Sequence, residues 1–253
     1  MDGAERLPPP VRVLNAQGAS PYVLLCEHAS RFIPAAYEGL GLGAEDLSRH
    51  IAWDIGAAQV AETLSQAIDA PLVMAGYSRL LIDLNRPAGS ATSVPEVSET
   101  TVIPGNRNLT AEERARRVAL YFEPYQAAVH QLLDQRQAEG RPTTIVGVHS
   151  FTPVFKGVTR PWHAGILYRK SERFGHALAE ALGGPSQAIA ENEPYQIEDD
   201  SDYTVPVHGE ARGLDAVLVE IRQDLIADER GTSDWAGRLS SALMKCAMVC
   251  QGS

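Results

Sequence analysis

Short apolar runs alternate along the chain with stretches in which apolar residues recur every three to four positions. That alternation predicts strands interleaved with amphipathic helices. Tyr22–Cys26 (YVLLC) is an uninterrupted apolar run after Pro21, as a strand buried on both faces requires. Similar runs predict strands over residues 71–75, 80–84, 143–148, 165–168 and 216–221. Ile51, Ile55, Ala58, Leu64 and Ile68 lie at near-helical spacing and predict a helix over residues 50–68. Thr110 with Glu113 three residues on has the form of a capping box, opening a helix to about Gln137 with Pro124 as the point of a kink. Further helices are expected over residues 171–182 and 233–250.

Strands and helices in this order predict an α/β protein with helices packed on the faces of a sheet. No repeat, low-complexity tract or linker interrupts the 253 residues, so one domain is expected, with its core over about 20–250 and residues 1–19 as an extended leading segment. Residues 87–108 are rich in Pro, Ser, Thr and Gly and have no periodicity. A long connection of that kind in a compact domain is more often functional than incidental.

Charge and cysteine content narrow the function classes. The 32 acidic residues against 22 basic ones give a net charge of −10, which repels phosphate backbones and argues against nucleic-acid binding. Cys26, Cys246 and Cys250 are too few, and odd in number, for a disulfide framework and suit a reducing compartment. Cys246 and Cys250, four apart on one predicted helix, lack the further ligands of a metal site. The leading MDGAERLPPPVRV is unlike a signal peptide, and no run approaches the ~18 apolar residues of a membrane span. The expectation is a soluble cytoplasmic protein, monomeric or a small homo-oligomer, with no membrane partner.

Chemistry in open α/β sheets gathers at the carboxyl ends of strands, and polar residues stand out at four such places. His28, in CEHAS after the YVLL run, could offer a ring nitrogen to a divalent metal, or serve only in packing. Asp54, in HIAWDIGA, borders the apolar face of the predicted helix, where a carboxylate needs a cation or an ion pair with a residue such as Arg79. His149, with Ser150 beside it, ends the strand TTIVGV. Together His28, Asp54 and His149 make a three-ligand set of the kind catalytic zinc uses, with a position left for water. Glu220 ends the apolar run AVLV and should face a cleft; it would act there as general base, or else pair with Arg222 or Arg212.

Groups suited to anions surround these residues. Arg79, Asp83, Asn85 and Arg86 fall in YSRLLIDLNRP, where strand alternation would put Arg79, Leu81 and Asp83 on one face. Arginine binds carboxylates bidentately, so a substrate with one or two carboxylates would suit the cluster. Tyr203 and His208, in DYTVPVHGE, could add a hydroxyl and an imidazole. His130, His163 and His176 have no such context.

With these residues assembled, the sequence resembles the N-formylglutamate amidohydrolase family. The resemblance lies in CEHAS, HIAWDIGA, YSRLLIDLNRP, the SET and IPGN segments, GVHSFTP, ENEPY and HGEARGLDAVLVEIRQDLI, in order from about residue 20 to 228. It implies a three-layer α/β/α mixed sheet of the phosphorylase/hydrolase-like, zinc-carboxypeptidase-like kind, one zinc ion, and hydrolysis of the N-formyl or N-acyl amide of an acidic amino acid. The family reaction, in histidine catabolism, converts N-formylglutamate and water to glutamate and formate. By analogy with zinc N-acetylmuramoyl-alanine amidases, His28, Asp54 and His149 would be the ligands, Asp54 standing where those enzymes have Glu, and Glu27 is the rival for second ligand. Glu220 would be the base, His208 an oxyanion donor, and Arg79, Arg86, Arg222 and Asn85 the substrate clamp.

Other readings stay open. A related zinc amidase on other N-acyl amino acids or peptidoglycan fragments shares these residues, although a wall substrate would call for a signal peptide. A non-catalytic binding protein would have no reason to keep His28, His149 and Glu220 together. Cys26 near His28 permits a thiol nucleophile only if a partner geometry exists, and no G-x-S-x-G elbow marks a serine hydrolase.

Overall fold

The computed structural model describes residues 7–250, with side chains through residue 247. Seven strands form the main sheet: β1 (Val11–Leu14), β2 (Tyr22–Cys26), β3 (Leu72–Ala75), β4 (Thr144–Phe151), β5 (Ala164–Leu167), β6 (Ile189–Glu191) and β7 (Asp215–Arg222). Their spatial order is β1-β3-β2-β4-β7-β5-β6. The central strands β3, β2, β4 and β7 run parallel, β1 is antiparallel to β3, and β5 is antiparallel to β7. The expected leading segment therefore contributes an edge strand to the sheet.

Five helices matter to the packing: α1 (Ala57–Ala67), α2 (Ala111–Arg117), α3 (Glu123–Ala138), α4 (Glu172–Ala181) and α5 (Glu229–Cys250). The apolar faces of α1, α4 and α5 pack with Leu24, Val146, Val148, Val217 and Val219 on one side of the sheet. On the other side α3 and the loop of residues 77–84 cover Val23, Leu25, Val73, Ile145 and Leu218. Successive strand residues point to opposite faces, so the all-apolar runs are those buried on both sides. The result is the three-layer α/β/α mixed sheet that the resemblance implied. Cys26 and Cys246 are buried thiols in the first of these cores, and the side chain of Cys250 lies outside the described residues.

Three expectations about local structure give way. Helix α1 starts at Ala57, not near His50, because residues 50–56 are drawn into the sheet end. Asp54 N–H donates to His28 O (3.0 Å), and Gly56, at φ 80°, lies so close to Ile226 that a Cβ there would sit 2.2 Å from its carbonyl oxygen. Asp54 is thus a loop residue, not one on a helix border.

Residues 80–84 are a buried loop and not a strand, although Leu80, Leu81 and Ile82 are fully apolar. Their backbone groups find side-chain partners in place of a neighbouring strand. Asn106 donates to Leu80 O (2.8 Å), Arg117 to Leu81 O (3.0 Å) and Gln126 to Leu84 O (2.8 Å). Buried carbonyls need such partners wherever they come from. The third change concerns the long helix, whose irregularity precedes Pro124. Thr110 caps α2 by accepting from Glu113 N–H, and residues 118–122 form a π-helical turn before α3, where Pro124 has no N–H to offer the preceding turn.

Arg117 is 1 % exposed and ties α2 to this loop through Leu81 O, Asn106 Oδ1 (2.7 Å) and Glu113 Oε1 (3.0 Å). Arg117→Met is expected to destabilise the fold by about 3 kcal/mol, since it orphans buried acceptors and a carboxylate partner. A urea midpoint unchanged from the parent protein would contradict this.

Candidate functional site

A cleft of about 710 Å³ opens at the carboxyl ends of β2, β4 and β7, on the face covered by α3. His28, Asp54, Arg79, Asp83, Asn85, Arg86, His149, Ser150 and Glu220, all singled out from the sequence, line it. The register explains part of the convergence. His149 on β4 pairs directly with Glu220 on β7, so both side chains leave the sheet on the same face. His28 follows β2, the neighbour of β4 on its other side.

At the base of the cleft Asp54 Oδ2 lies 2.9 Å from His149 Nδ1 and 3.3 Å from His28 Nδ1, and accepts from Ser150 N–H at 3.2 Å. The two Nδ1 atoms are 3.2 Å apart. The outer ring nitrogens face carboxylates: His28 Nε2 is 2.7 Å from Asp83 Oδ1, and His149 Nε2 is 3.0 Å from Glu27 Oε2. The second of these contacts is ionic in distance but not aligned as a hydrogen bond. In the neutral ring, a carboxylate behind Nε2 holds the remaining proton there and leaves the Nδ1 lone pair free, which is how metal-binding histidines are commonly oriented.

His28, Asp54 and His149 bring their donor atoms within 4.8 Å of one another. Two imidazoles and one carboxylate suit a divalent transition metal, zinc included. All three residues are at most 3 % exposed, so the donor set is buried and held by its surroundings at the base of the cleft. Glu27 is fully buried behind His149, where Thr204 Oγ1 donates to its other oxygen. That position backs a histidine and does not face the space between the rings.

The electrostatics follow from this clustering. Burial alone would raise the Asp54 carboxyl, but the neighbouring His28 and His149 hold it far below the ordinary carboxylate range. Burial likewise opposes protonation of His149, yet Asp54 and Glu27 together raise its pKa well above the usual imidazole value. His28 is raised more modestly, with Asp83 and Asp54 outweighing burial and the Arg79 charge. Glu220 is the exception among the acids. Burial dominates, its Oε2 has no hydrogen-bond partner, and its carboxyl is pushed up to about 7. Neither Arg222 nor Arg212 meets it.

Other predicted site residues have different employment. Asp83 accepts from Arg79 Nε and Nη2 (3.0 and 2.6 Å) and from Asn85 N–H (3.0 Å) besides facing His28, so both of its oxygens are engaged within the protein. Arg79 also reaches Asp54 Oδ1 at 3.3 Å. Asn85 holds the loop of residues 202–204, donating to Asp202 Oδ1 and accepting from the N–H groups of Tyr203 and Thr204. Arg86 donates to Ser201 O, and its nearest carboxylate, Asp83, is 4.0 Å away. Ser150 Oγ is bonded to Ile55 O at 2.9 Å.

Three residues are not among those lining the cleft. Arg222 pairs with Asp224 and with the carbonyls of Pro161 and Trp162. Tyr203 packs edge-on to Phe122 and His208. His208 is fully buried with Nε2 2.6 Å from Gln126 Oε1, and burial drops its pKa to about 3. A neutral imidazole bound to Gln126 beneath the floor has a packing role. Cys26 is fully buried in the core and is not among the residues lining the cleft, and burial raises its thiol well above the ordinary value.

Sequence reasoning passed over Tyr195, Gln196, Glu198 and Asp202, which line the cleft from the loop after β6, and His50 and Glu99 at its rim. ENEPY and SET stood in the sequence as motifs, but nothing local showed that their side chains meet the strand ends.

Known proteins resemble this chain along most of its length. The family model described as N-formylglutamate amidohydrolase matches residues 20–227. A gene product of Agrobacterium tumefaciens of known crystal structure is 39% identical, covers 96% of this chain and 97% of its own, and superposes with a TM-score of 0.93. The N-formylglutamate amidohydrolase of Ralstonia eutropha shares the fold at 19% identity, with a TM-score of 0.69 over 96% of this chain and 99% of that one. No functionally curated protein matches significantly. Among the described residues no helix is long and apolar enough to cross a membrane.

Because the two histidines bind protons more tightly than usual in the metal-free chain, protons and metal compete for them. Zinc affinity is expected to keep rising as pH increases through and beyond the ordinary imidazole range, because both histidines are raised above it and deprotonation frees their Nδ1 lone pairs. Competition against a chromophoric chelator measures it, and an affinity independent of pH would contradict the ligand set. Asp83→Asn, which weakens the support behind His28, is expected to lower zinc affinity about 10- to 100-fold in the same assay.

Proposed function

This chain belongs to the N-formylglutamate amidohydrolase family, and we propose that it is a zinc-dependent enzyme that hydrolyses N-acyl amino acids, with N-formylglutamate cleaved to glutamate and formate. The observation that carries the proposal is the meeting of His28, Asp54 and His149 beside an unpartnered Glu220 in one cleft.

His28 Nδ1, Asp54 Oδ2 and His149 Nδ1 would hold the ion, with Asp83 and Glu27 orienting the two rings. A divalent ion held there would polarise the acyl carbonyl and make water more acidic. Glu220 is suited to take the water proton, since a carboxyl poised near neutrality both accepts and returns a proton. The water oxygen bonds to the acyl carbon, the C–N bond breaks, and Glu220 hands its proton to the leaving nitrogen. The products are an amine and a carboxylic acid, which releases water's second proton as it ionises at neutral pH. Arg86, the cleft arginine without a close carboxylate, is placed to hold a substrate carboxylate, while Arg79 is committed to Asp83 and Asp54. In this reading the enzyme serves histidine catabolism in the cytoplasm.

The deciding measurement is metal content by elemental analysis together with formate release from N-formylglutamate before and after chelation. Near-stoichiometric zinc and chelator-sensitive release are expected; zinc without release keeps the hydrolase and removes this substrate. His149→Ala is expected to lose metal and activity together. Glu220→Gln should keep its zinc while kcat falls by roughly 10³-fold or more, and near-normal turnover would remove Glu220 as base. Deprotonation of Glu220 is required, so kcat/KM should fall on the acid side; the carboxyl stands at about 7 without metal and a bound dication lowers it, so the acidic limb should lie below that value. An acidic limb that persists unchanged in Glu220→Gln would reassign it to another group.

A further inference from the structure

The loop after β6 delivers Tyr195 into the cleft, and the way it is seated gives that residue a use. Glu220 on β7 pairs with His149 on one side and with Gly165 of β5 on the other. Paired residues present their side chains on the same face of a sheet. At Gly165 the space a side chain would take is filled by the chain itself, since a Cβ there would lie 1.7 Å from Glu193 O. The segment leading to Tyr195 is therefore laid across the sheet directly beside Glu220, opposite His149.

Tyr195 is clasped from behind. Arg160, 8 % exposed, stacks its guanidinium 4.7 Å from the Tyr195 ring centroid and 4.6 Å from that of Phe155. Its Nη1 donates to the Tyr195 hydroxyl at 2.9 Å. A guanidinium can only donate, so the phenol oxygen is the acceptor and its own hydrogen has no acceptor among the described residues. Tyr195 and Phe155 line the same cleft as His28, His149 and Glu220. Tyr195 is 39 % exposed, yet partial desolvation and the Glu220 charge raise the phenol's pKa, which keeps that hydrogen in place at neutral pH.

We propose that Tyr195 is a catalytic hydrogen-bond donor to the acyl oxygen as it becomes an oxyanion, with Arg160 as the residue that positions it. This deepens the function proposed above and rests on it for the identity of the reaction. No bond to Tyr195 forms or breaks, and the phenol keeps its proton throughout. Arg160 holds the phenol oxygen before substrate arrives, so little reorganisation is needed as charge develops. It takes the place in the cleft that sequence reasoning offered to His208.

The test compares the zinc-loaded protein with Tyr195→Phe, Arg160→Met and the double variant. Each is assayed on N-formyl amino acids and titrated with acetohydroxamate, a small metal-binding mimic carrying an anionic oxygen, by calorimetry. Tyr195→Phe is expected to keep its zinc and its KM within about twofold, to lose roughly 10²-fold in kcat, and to bind acetohydroxamate at least about fivefold more weakly. Arg160→Met should lose most of the same kcat, and the double variant little more, because the two residues act as one unit. Wild-type kcat and acetohydroxamate affinity in Tyr195→Phe would overturn the proposal, as would strictly additive losses for Arg160. If wild-type protein cleaves no N-formyl amino acid while Tyr195→Phe still loses acetohydroxamate affinity, the substrate reading falls and the donor stands.

Discussion

Asp54 is a buried carboxylate, and the arrangement around it depends on keeping that charge satisfied. A carboxylate taken out of water is costly unless several donors converge on it. Here the donors are two histidines from neighbouring strand ends, the Ser150 amide and Arg79. Meeting that demand pulls residues 50–56 out of helical form and fixes the spacing of the imidazoles. The same demand makes the place suitable for a cation, because the donor atoms converge whether or not protons sit on them.

Around this centre lies a layer of groups that act through others. Asp83 and Glu27 back the two rings, and each is itself engaged, by Arg79 and Asn85 in one case and by Thr204 in the other. The loop bearing Asp83 is held by Arg117, Asn106 and Gln126, which satisfy carbonyls that a strand would have paired. Stability and site geometry are thus coupled through a few buried polar side chains on α2, α3 and the segment before them. Glu220 is the contrast: desolvated and left with a free oxygen, it holds its proton near neutrality where Asp54 cannot.

Much of the fold was legible in the sequence. Uninterrupted apolar runs mark strands covered on both faces, and Tyr22–Cys26, Leu72–Ala75 and the core of Thr144–Phe151 fell where those runs lie. The runs fail at residues 80–84, where three consecutive apolar residues form a loop. Periodicity reports burial, and burial is blind to whether a carbonyl is paired by a strand or by Arg117. The helical spacing from Ile51 misled for the related reason that Asp54 and Gly56 answer to partners about a hundred residues or more away, at His149 and Ile226.

By itself the sequence placed His28, His149 and Glu220 at the ends of buried apolar runs, and so pointed them toward one edge of the sheet. It did so because a charge or imidazole at the end of a buried apolar run has few places to go. That Asp54 joins them from a loop was decided by the fold. Which atom faces which was decided only by the tertiary structure. Strand register set Glu220 between His149 and Gly165; the crossing loop brought Tyr195 to the gap that Gly165 leaves; and Glu27 came to lie behind a histidine, not in front of it. These are contacts between segments far apart in the chain, fixed by packing and by the pairing of buried polar atoms, and no local pattern of residues encodes them.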